Sequence, residues 1–347
     1  MRSLSPAFLT QLAVTADDLR TVSLLGRFRG RQDLWAVRVP EVLTGLRDLA
    51  IVESTESSNR IEGIVAGPGR VRDIVLRDAT PRDRSEQEIA GYREALQLIH
   101  EQAEEMPVST NLVLQLHGLL YRYSGDEGGR WKSVDNTIVE HGQDGSLRER
   151  FVPVKAIATP QAMADLVDGY RQAQQEGVDP LLSVPLAVLD FLCIHPFRDG
   201  NGRVSRLLTL LLLYQHGYDV GRYVSLERVT EQSKDTYYNA LEQSSQGWHE
   251  GKHDVHPWLR CFWGTLMSAY NELEARVGTA TSGRGSKAER VRSAVSRRAQ
   301  AFAISAIEHD CPDISREHIR KVLTQLRAEG RVEMEGAGRG AVWRWKG

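Results

Sequence analysis

Residues 195–206 read His-Pro-Phe-Arg-Asp-Gly-Asn-Gly-Arg-Val-Ser-Arg, which puts a base, a carboxylate, two glycines and then two arginines within a dozen positions. The set reads as a phosphate site with a nucleophile activator beside it. Gly200 and Gly202 let the backbone turn sharply and approach an anion. A helix beginning near Asn201 or Gly202 aims its free N–H groups and positive dipole end at the same point. Arg203 and Arg206 share a face of that first turn, where two guanidinium forks can grip a di- or triphosphate tail. Asp199 would repel phosphates unless it holds a magnesium ion bridging two of their oxygens. His195 stands at the mouth, and a neutral imidazole there is suited to take a proton from an incoming hydroxyl.

Such a loop needs rigid supports. Residues 181–194 before it are almost wholly apolar and residues 204–214 after it nearly so, which predicts two buried helices joined by this polar connection. Taken singly, each residue has an ordinary reading: a helix-end His caps, an Asp-Gly pair turns, and arginines three apart are a solvated face. It is the fixed order between two apolar helices that argues for a site.

In that order the residues match, at every specified position, the signature His-x-Phe-x-Asp/Glu-Gly-Asn-Gly-Arg-x-x-Arg, and the chain resembles the Fic (filamentation induced by cyclic AMP) family. The resemblance implies a mainly α fold, a helical core with a β-hairpin flap, that transfers AMP from ATP to a Ser, Thr or Tyr hydroxyl of a protein. It implies that His195 deprotonates the target hydroxyl, that Asp199 binds Mg2+, and that Asn201 with the amides around Gly200 and Gly202 holds the phosphates. Arg203 and Arg206 would contact the outer phosphates, Arg198 would line the nucleotide site, and Phe197 would pack inward to fix the loop. Glycine at position 200, where the related Doc kinases carry alanine, favours nucleotidyl transfer over phosphorylation.

Upstream, Ser58-Asn59-Arg60-Ile61-Glu62-Gly63 ends a helical pattern. By itself it reads as a helix end capped by Gly63. Beside the loop it resembles the family's inhibitory Ser/Thr-x-x-x-Glu-Gly/Asn motif, which implies that Glu62, with Ser58 and Gly63, pairs with Arg206 and keeps ATP in an unproductive pose.

Between these motifs, Gly129-Arg130-Trp131, residues 134–139, glycines 142 and 145, and residues 151–154 alternate apolar and polar around turns. This hairpin pattern resembles the family's flap, where an edge strand would pair with an extended segment of the target protein. Tyr237-Tyr238-Asn239-Ala240-Leu241 resembles a Tyr-Tyr-x-x-Leu stretch near the adenine.

The chain's 347 residues suffice for two domains, and a net charge of -2 gives no overall nucleic-acid signature. Cysteines at 193, 261 and 311 are too scattered for a disulfide framework. No basic stretch followed by an apolar core opens the sequence and no apolar run is long enough to span a bilayer, so a cytoplasmic enzyme without membrane contact is expected. His249, His253 and His256 crowd together, but Gly251 and Pro257 place them in a loop without the spacing of helical metal ligands.

Helical patterns run through 41–61, 85–104, 110–121, 160–175, 228–246 and 255–277 besides the two flanking the loop. Residues 278–287, rich in Gly, Ser and Thr, read as a linker. After it, helices at 288–308 and 315–329 and a hairpin over 331–345 give the order of a winged helix-turn-helix, and the tail resembles that of many Fic proteins. The plan is thus a helical region with an inhibitory helix (1–83), a catalytic core (84–277), the linker, and a winged helix (288–347). Residues 289–347 hold 12 Lys and Arg against 8 Asp and Glu. With Arg316, Arg320 and Lys321 on the second helix and Arg339 in the wing, this suits DNA contact, while protein docking or a homodimer is the plainer use of such a surface. The expected function is an ATP-dependent protein adenylyltransferase restrained by Glu62. AMP removal from a modified protein, or a nucleotide-sensing DNA-binding regulator, are the alternatives.

Overall fold

The computed structural model describes residues 3–38, 40–141, 147–281, 287–336 and 341–346. The N-terminal part comprises α1 (Pro6–Leu9), α2 (Ala16–Arg38), α3 (Pro40–Ile61) and α4 (Arg70–Arg77). The central part runs α5 (Arg84–Gln102), α6 (Thr110–Leu120), β1 (Ile138–His141), β2 (Leu147–Phe151), α7 (Thr159–Gln175), α8 (Pro180–Ile194), α9 (Asn201–Gln215), α10 (Leu226–Gln232), α11 (Lys234–Ser245) and α12 (His256–Thr281). The C-terminal part is α13 (Lys287–Ser296), β3 (Phe302–Ala303), α14 (Ile304–Asp310), α15 (Arg316–Ala328), β4 (Val332–Glu335) and β5 (Val342–Trp345).

Helices α8 and α9 form the centre because almost every side chain they carry is apolar and buried. Asp179 starts α8 by accepting the Leu181 N–H at 2.8 Å, with Pro180 in the first turn. Pro185 lies inside this helix and cannot donate to the carbonyl of Leu181 four residues back. The Trp263 indole N–H of α12 takes that carbonyl at 2.7 Å, and the Trp258 indole N–H takes the Pro185 carbonyl at 2.7 Å. The gap left by the proline is thus closed by a neighbouring helix, which fixes α8 against α12.

Leu25, Phe28, Leu43 and Leu46 of the N-terminal helices share one core with Leu189, Phe191 and Leu211. The region up to residue 83 therefore packs as part of the central unit. The C-terminal part has its own core, including Val291, Ile307, Leu323 and Trp343.

Several sequence expectations are corrected. Helix α2 was not anticipated. The single helix read over 228–246 is two, parted at Ser233, whose ψ of 31° leaves the helical region. The helix read over 288–308 is also two, because the chain extends at Phe302 and Ala303 to pair β3 with β5 in a sheet of order β3-β5-β4. That extension buries Phe302 against the second core. Helix α12 runs on through Thr281 into the expected linker, since one glycine inside a helix costs only about 1 kcal/mol. Residues 282–286, the flap turn at 142–146 and the wing turn at 337–340, with Arg339, lie outside the described residues. Among the described residues no helix is long and apolar enough to cross a membrane.

Candidate active site

Helix α8 ends on His195, which adopts a left-handed φ of 50° while its N–H still reaches the Phe191 carbonyl at 2.9 Å. Its Nδ1 faces the Leu192 carbonyl at 3.3 Å. A carbonyl only accepts, so Nδ1 carries the proton and Nε2 keeps its lone pair. Burial, aided by the Lys132 cation, lowers the His195 pKa to about 4 against the opposing Glu62 and Asp199 carboxylates. The imidazole is therefore neutral near pH 7.

Four residues on, the loop closes on itself. Asn201 Oδ1 accepts the Phe197 N–H at 2.9 Å and Asn201 Nδ2 donates to the Phe197 carbonyl at 2.8 Å. The buried Asn201 amide is thus a clamp across the turn. Phe197 is fully buried, stacked on His117 at 3.7 Å and on Trp131 at 5.3 Å between ring centroids. Gly200, at φ 79°, then starts α9. The first-turn N–H groups of that helix have no intrahelical acceptor and face the mouth of the loop.

Asp199 projects into a cleft that Arg198, Arg130 and Arg84 also line. Its Oδ1 accepts the Gly200 N–H at 2.7 Å and its Oδ2 the Tyr121 hydroxyl at 2.9 Å. Burial pushes its pKa up, but these hydrogen bonds and Arg203 outweigh that and hold it below the usual carboxylate value. With 71% of the side chain exposed, the ionised oxygens retain lone pairs toward the cleft. This donor set fits a hard divalent cation shared with substrate oxygens.

Arg203 is not where the sequence reading put it. Its side chain is 1% exposed, and it donates to Glu88 Oε2 at 2.6 Å and to the Tyr121 hydroxyl at 3.1 Å. A buried guanidinium needs a carboxylate, and α5 supplies Glu88, while Asp199 Oδ2 lies 3.6 Å from its Nη2.

Arg206 takes the outer side. Its Nε donates to Ser58 Oγ at 2.8 Å, and its Nη2 donates to the Ser58 carbonyl at 2.9 Å and to Glu62 Oε1 at 2.8 Å. Burial would lower the Arg206 pKa, yet Glu62 leads the interactions that raise it above the ordinary value. A Cβ built on Gly202 would lie 2.2 Å from Glu62 Oε1, so this carboxylate sits directly on the backbone of the α9 first turn. Gly63, at φ 79°, caps α3, with the Ile64 N–H returning to the Asn59 carbonyl at 3.0 Å. Beside Arg206, Tyr237 is buried and shares a small cavity with it, while Tyr238 is half-buried.

Strands β1 and β2 pair antiparallel with Ile138 opposite Phe151. The flap is tied to α11 through Arg150, which donates to Glu242 at 2.5 Å and to the Tyr238 carbonyl at 3.1 Å. Val134, Val139, Val152 and Ile157 are exposed around it. The three clustered histidines separate: the His253 ring faces Ser3 Oγ at 2.8 Å, His249 the Val152 carbonyl at 2.8 Å, and His256 Asp254 at 2.7 Å.

Four residues that hold the loop were missed in the sequence. His117 Nδ1 accepts the Gly129 N–H at 2.9 Å, so its Nε2 carries the proton and donates to the Asp199 carbonyl at 3.1 Å. Burial keeps it neutral, with a pKa of about 4. Glu88 and Tyr121 hold Arg203. Buried Lys132 donates from Nζ to the Ile194 carbonyl at 3.2 Å and from its backbone to the Pro196 carbonyl at 2.8 Å. Its one visible signal was its place directly after Gly-Arg-Trp.

The Fic/DOC family model matches residues 107–213. Protein adenylyltransferase Fic of Nematostella vectensis is 25% identical over 211 residues, 58% of this chain and 44% of that protein. Protein adenylyltransferase fic-1 of Caenorhabditis elegans is 33% identical over 69 residues, 20% of this chain and 14% of that protein. The chain thus spans less than half the length of these relatives. Among solved structures, a Fic family protein from Desulfovibrio desulfuricans G20 superposes with a TM-score of 0.61 at 20% identity, covering 96% of this chain and 97% of its own. A Fic-1 fragment from C. elegans gives 0.57 at 20% identity, covering 77% and 74%. These likenesses establish the helical fold.

Proposed function

We propose that the Fic/DOC domain carried by this chain is a protein adenylyltransferase, transferring AMP from ATP to a Ser, Thr or Tyr hydroxyl of a target protein under restraint by Glu62. The single observation that carries the reading is the carboxylate of Glu62 lying on Gly202 and Arg206, where an anion bound to the α9 N-terminus would sit. A site built to attract phosphate holds a removable internal anion.

In this reading a target hydroxyl attacks the α-phosphate while Nε2 of neutral His195 accepts its proton. A new oxygen–phosphorus bond forms, the bond to the pyrophosphate oxygen breaks, and pyrophosphate leaves. The α9 amides and Arg206 draw the outer phosphates toward the helix N-terminus, which directs the leaving group away from the hydroxyl. Asp199 would hold Mg2+, which when bound neutralises phosphate charge. Tyr237 and Tyr238 line the base end, and exposed Val139 and Val152 on the flap, near residues 151–154, receive the target segment. Arg203 supports the loop from behind.

The test is label transfer from α-labelled ATP with magnesium. Glu62→Gly is expected to label protein at least tenfold faster than wild type, about 1.4 kcal/mol of barrier, and adding His195→Ala to remove the signal. Equal labelling by wild type and Glu62→Gly would remove the restraint from the reading. No labelling by any variant that binds ATP, together with release of AMP from a labelled protein, would favour AMP removal with Glu62 as a participant.

A further inference from the structure

Among the described residues His195 is one of two besides glycine with a left-handed backbone, at φ 50°. A side chain in that region crowds its own peptide groups, and the conformation persists only where neighbours hold it from several sides. Here the hold comes from the segment that leads into β1. Buried Lys132 donates from its backbone N–H to the Pro196 carbonyl at 2.8 Å and from Nζ to the Ile194 carbonyl at 3.2 Å. Asn136 Oδ1 accepts a second Nζ hydrogen at 2.7 Å, and Asn136 Nδ2 donates to the Phe197 carbonyl at 3.2 Å. The carbonyls of residues 194, 196 and 197, on both sides of His195, are thus all engaged by residues 132 and 136.

A lysine is a costly choice at position 132. Both acceptors of its ammonium are neutral, and burial lowers its pKa to about 8 against the opposing Asp135 carboxylate. A leucine or methionine there would avoid that desolvation. What an apolar side chain cannot do is serve the end of α8, whose last carbonyls lack intrahelical donors and form the negative end of the helix dipole. The same segment is the root of the flap. Ile138 begins β1 two residues after Asn136, and Asp135 Oδ1 accepts the Ala156 N–H at 2.7 Å beyond the end of β2, closing the base of the hairpin.

We propose that Lys132 and Asn136 are positioning residues that keep His195 in its left-handed conformation and lock its loop to the root of the flap. On the adenylyl transfer proposed above, on which this consequence rests, a target segment lying on the flap and the imidazole that takes its proton keep one register, whichever protein supplies the segment.

NMR of the full chain labelled with 15N-histidine tests the positioning without any substrate. His195, identified by the signal missing from His195→Ala, should show a single neutral tautomer with its proton on Nδ1. In Asn136→Ala and in Lys132→Met that signal is expected to give way to a mixture of tautomers, while the signal of His100, packed against Tyr214, stays in place. An unchanged His195 signal in both variants overturns the proposal. So does a loss of the His100 signal alongside it in both, which would make the two residues struts of the whole fold. In the Glu62→Gly background, both substitutions should lower the maximal rate of label transfer by about tenfold or more and leave the KM for ATP unchanged. A raised KM with the maximal rate intact would make them nucleotide contacts and overturn the positioning. If Glu62→Gly transfers no label while the His195 signal still changes, the adenylyl-transfer reading fails and the positioning stands.

Discussion

Arg203 and Arg206 leave the first turns of α9 in different directions, one into a wall made by α5 and α6 and the other toward the end of α3. Both are buried and both meet a carboxylate, at 2.6 Å for Glu88 and 2.8 Å for Glu62. The surroundings of the two carboxylates differ. Glu88 lies inside α5 with its side chain 6% exposed, whereas Glu62 follows the last residue of α3 and is 31% exposed. The first pair is framework, since opening it would strand a charge in the interior. The second opens toward solvent, so another anion can take the place of Glu62. The same residue type on the same helix is thus sealed in or left partly open according to what stands behind its partner.

The largest expected effect tests whether the outer side serves chemistry at all. In a Glu62→Gly background, His195→Ala should reduce label transfer by about 10²–10⁴-fold, the usual contribution of a positioned base; a smaller loss would show the hydroxyl being activated elsewhere. Next, Arg203→Met should cost about 1–3 kcal/mol by leaving Glu88 Oε2 without its buried donor, while Arg84 still holds Oε1 at 3.1 Å, read as a lower denaturant midpoint. If it instead left stability intact and only weakened ATP binding, the division between the two arginines would fail. Ser58→Ala removes one acceptor from Arg206 while leaving Glu62, and should loosen the outer pair by about 1 kcal/mol, raising transfer several-fold less than Glu62→Gly does. Equal effects would make Ser58 and Glu62 a single unit.

The smallest effect is in pH. His117 and His195 have folded values of about 4 and His100 about 3, below the ordinary 6.5. The unfolded chain therefore takes up more protons as pH falls, so their contribution is complete above about pH 6.5 and is lost as pH falls through about 4. The unfolding temperature should decline across that window. Lys132→Met, by removing a cation that depresses His195, should move the acid limb of transfer upward.

What was legible in the sequence was local. The loop at 195–206 and the helix end at 58–63 are contiguous, and their glycines announce the turns they make. The apolar stretches on either side of the loop mark α8 and α9 by length and hydrophobicity alone. The partners of Arg203 were not legible, because Glu88 and Tyr121 occupy ordinary helix positions far away in the chain and nothing nearby shows that they converge. The clamp made by Asn201 was hidden for a related reason: an amide at a helix start suits an anion and a turn equally, and the sequence does not show that Phe197 presents its N–H and carbonyl to it. The break at Ser233 and the strand at Phe302 were set by packing onto neighbouring elements, which local pattern does not carry.

The position of Glu62 just past α3 also determines how fast it can let go. A helix terminus frays without disturbing the turns behind it, at a small fraction of the free energy needed to unfold the molecule. The local latch is the return of the Ile64 N–H to Asn59 through Gly63. Replacing that glycine would strain its left-handed backbone. Melting this one turn, which carries buried Ser58, Asn59 and Ile61, would swing the carboxylate away on the time scale of local unfolding, microseconds to seconds, with no domain having to move. On the function proposed above, such a restraint would leak continuously, and its tightness would be a property of the last few residues of a single helix.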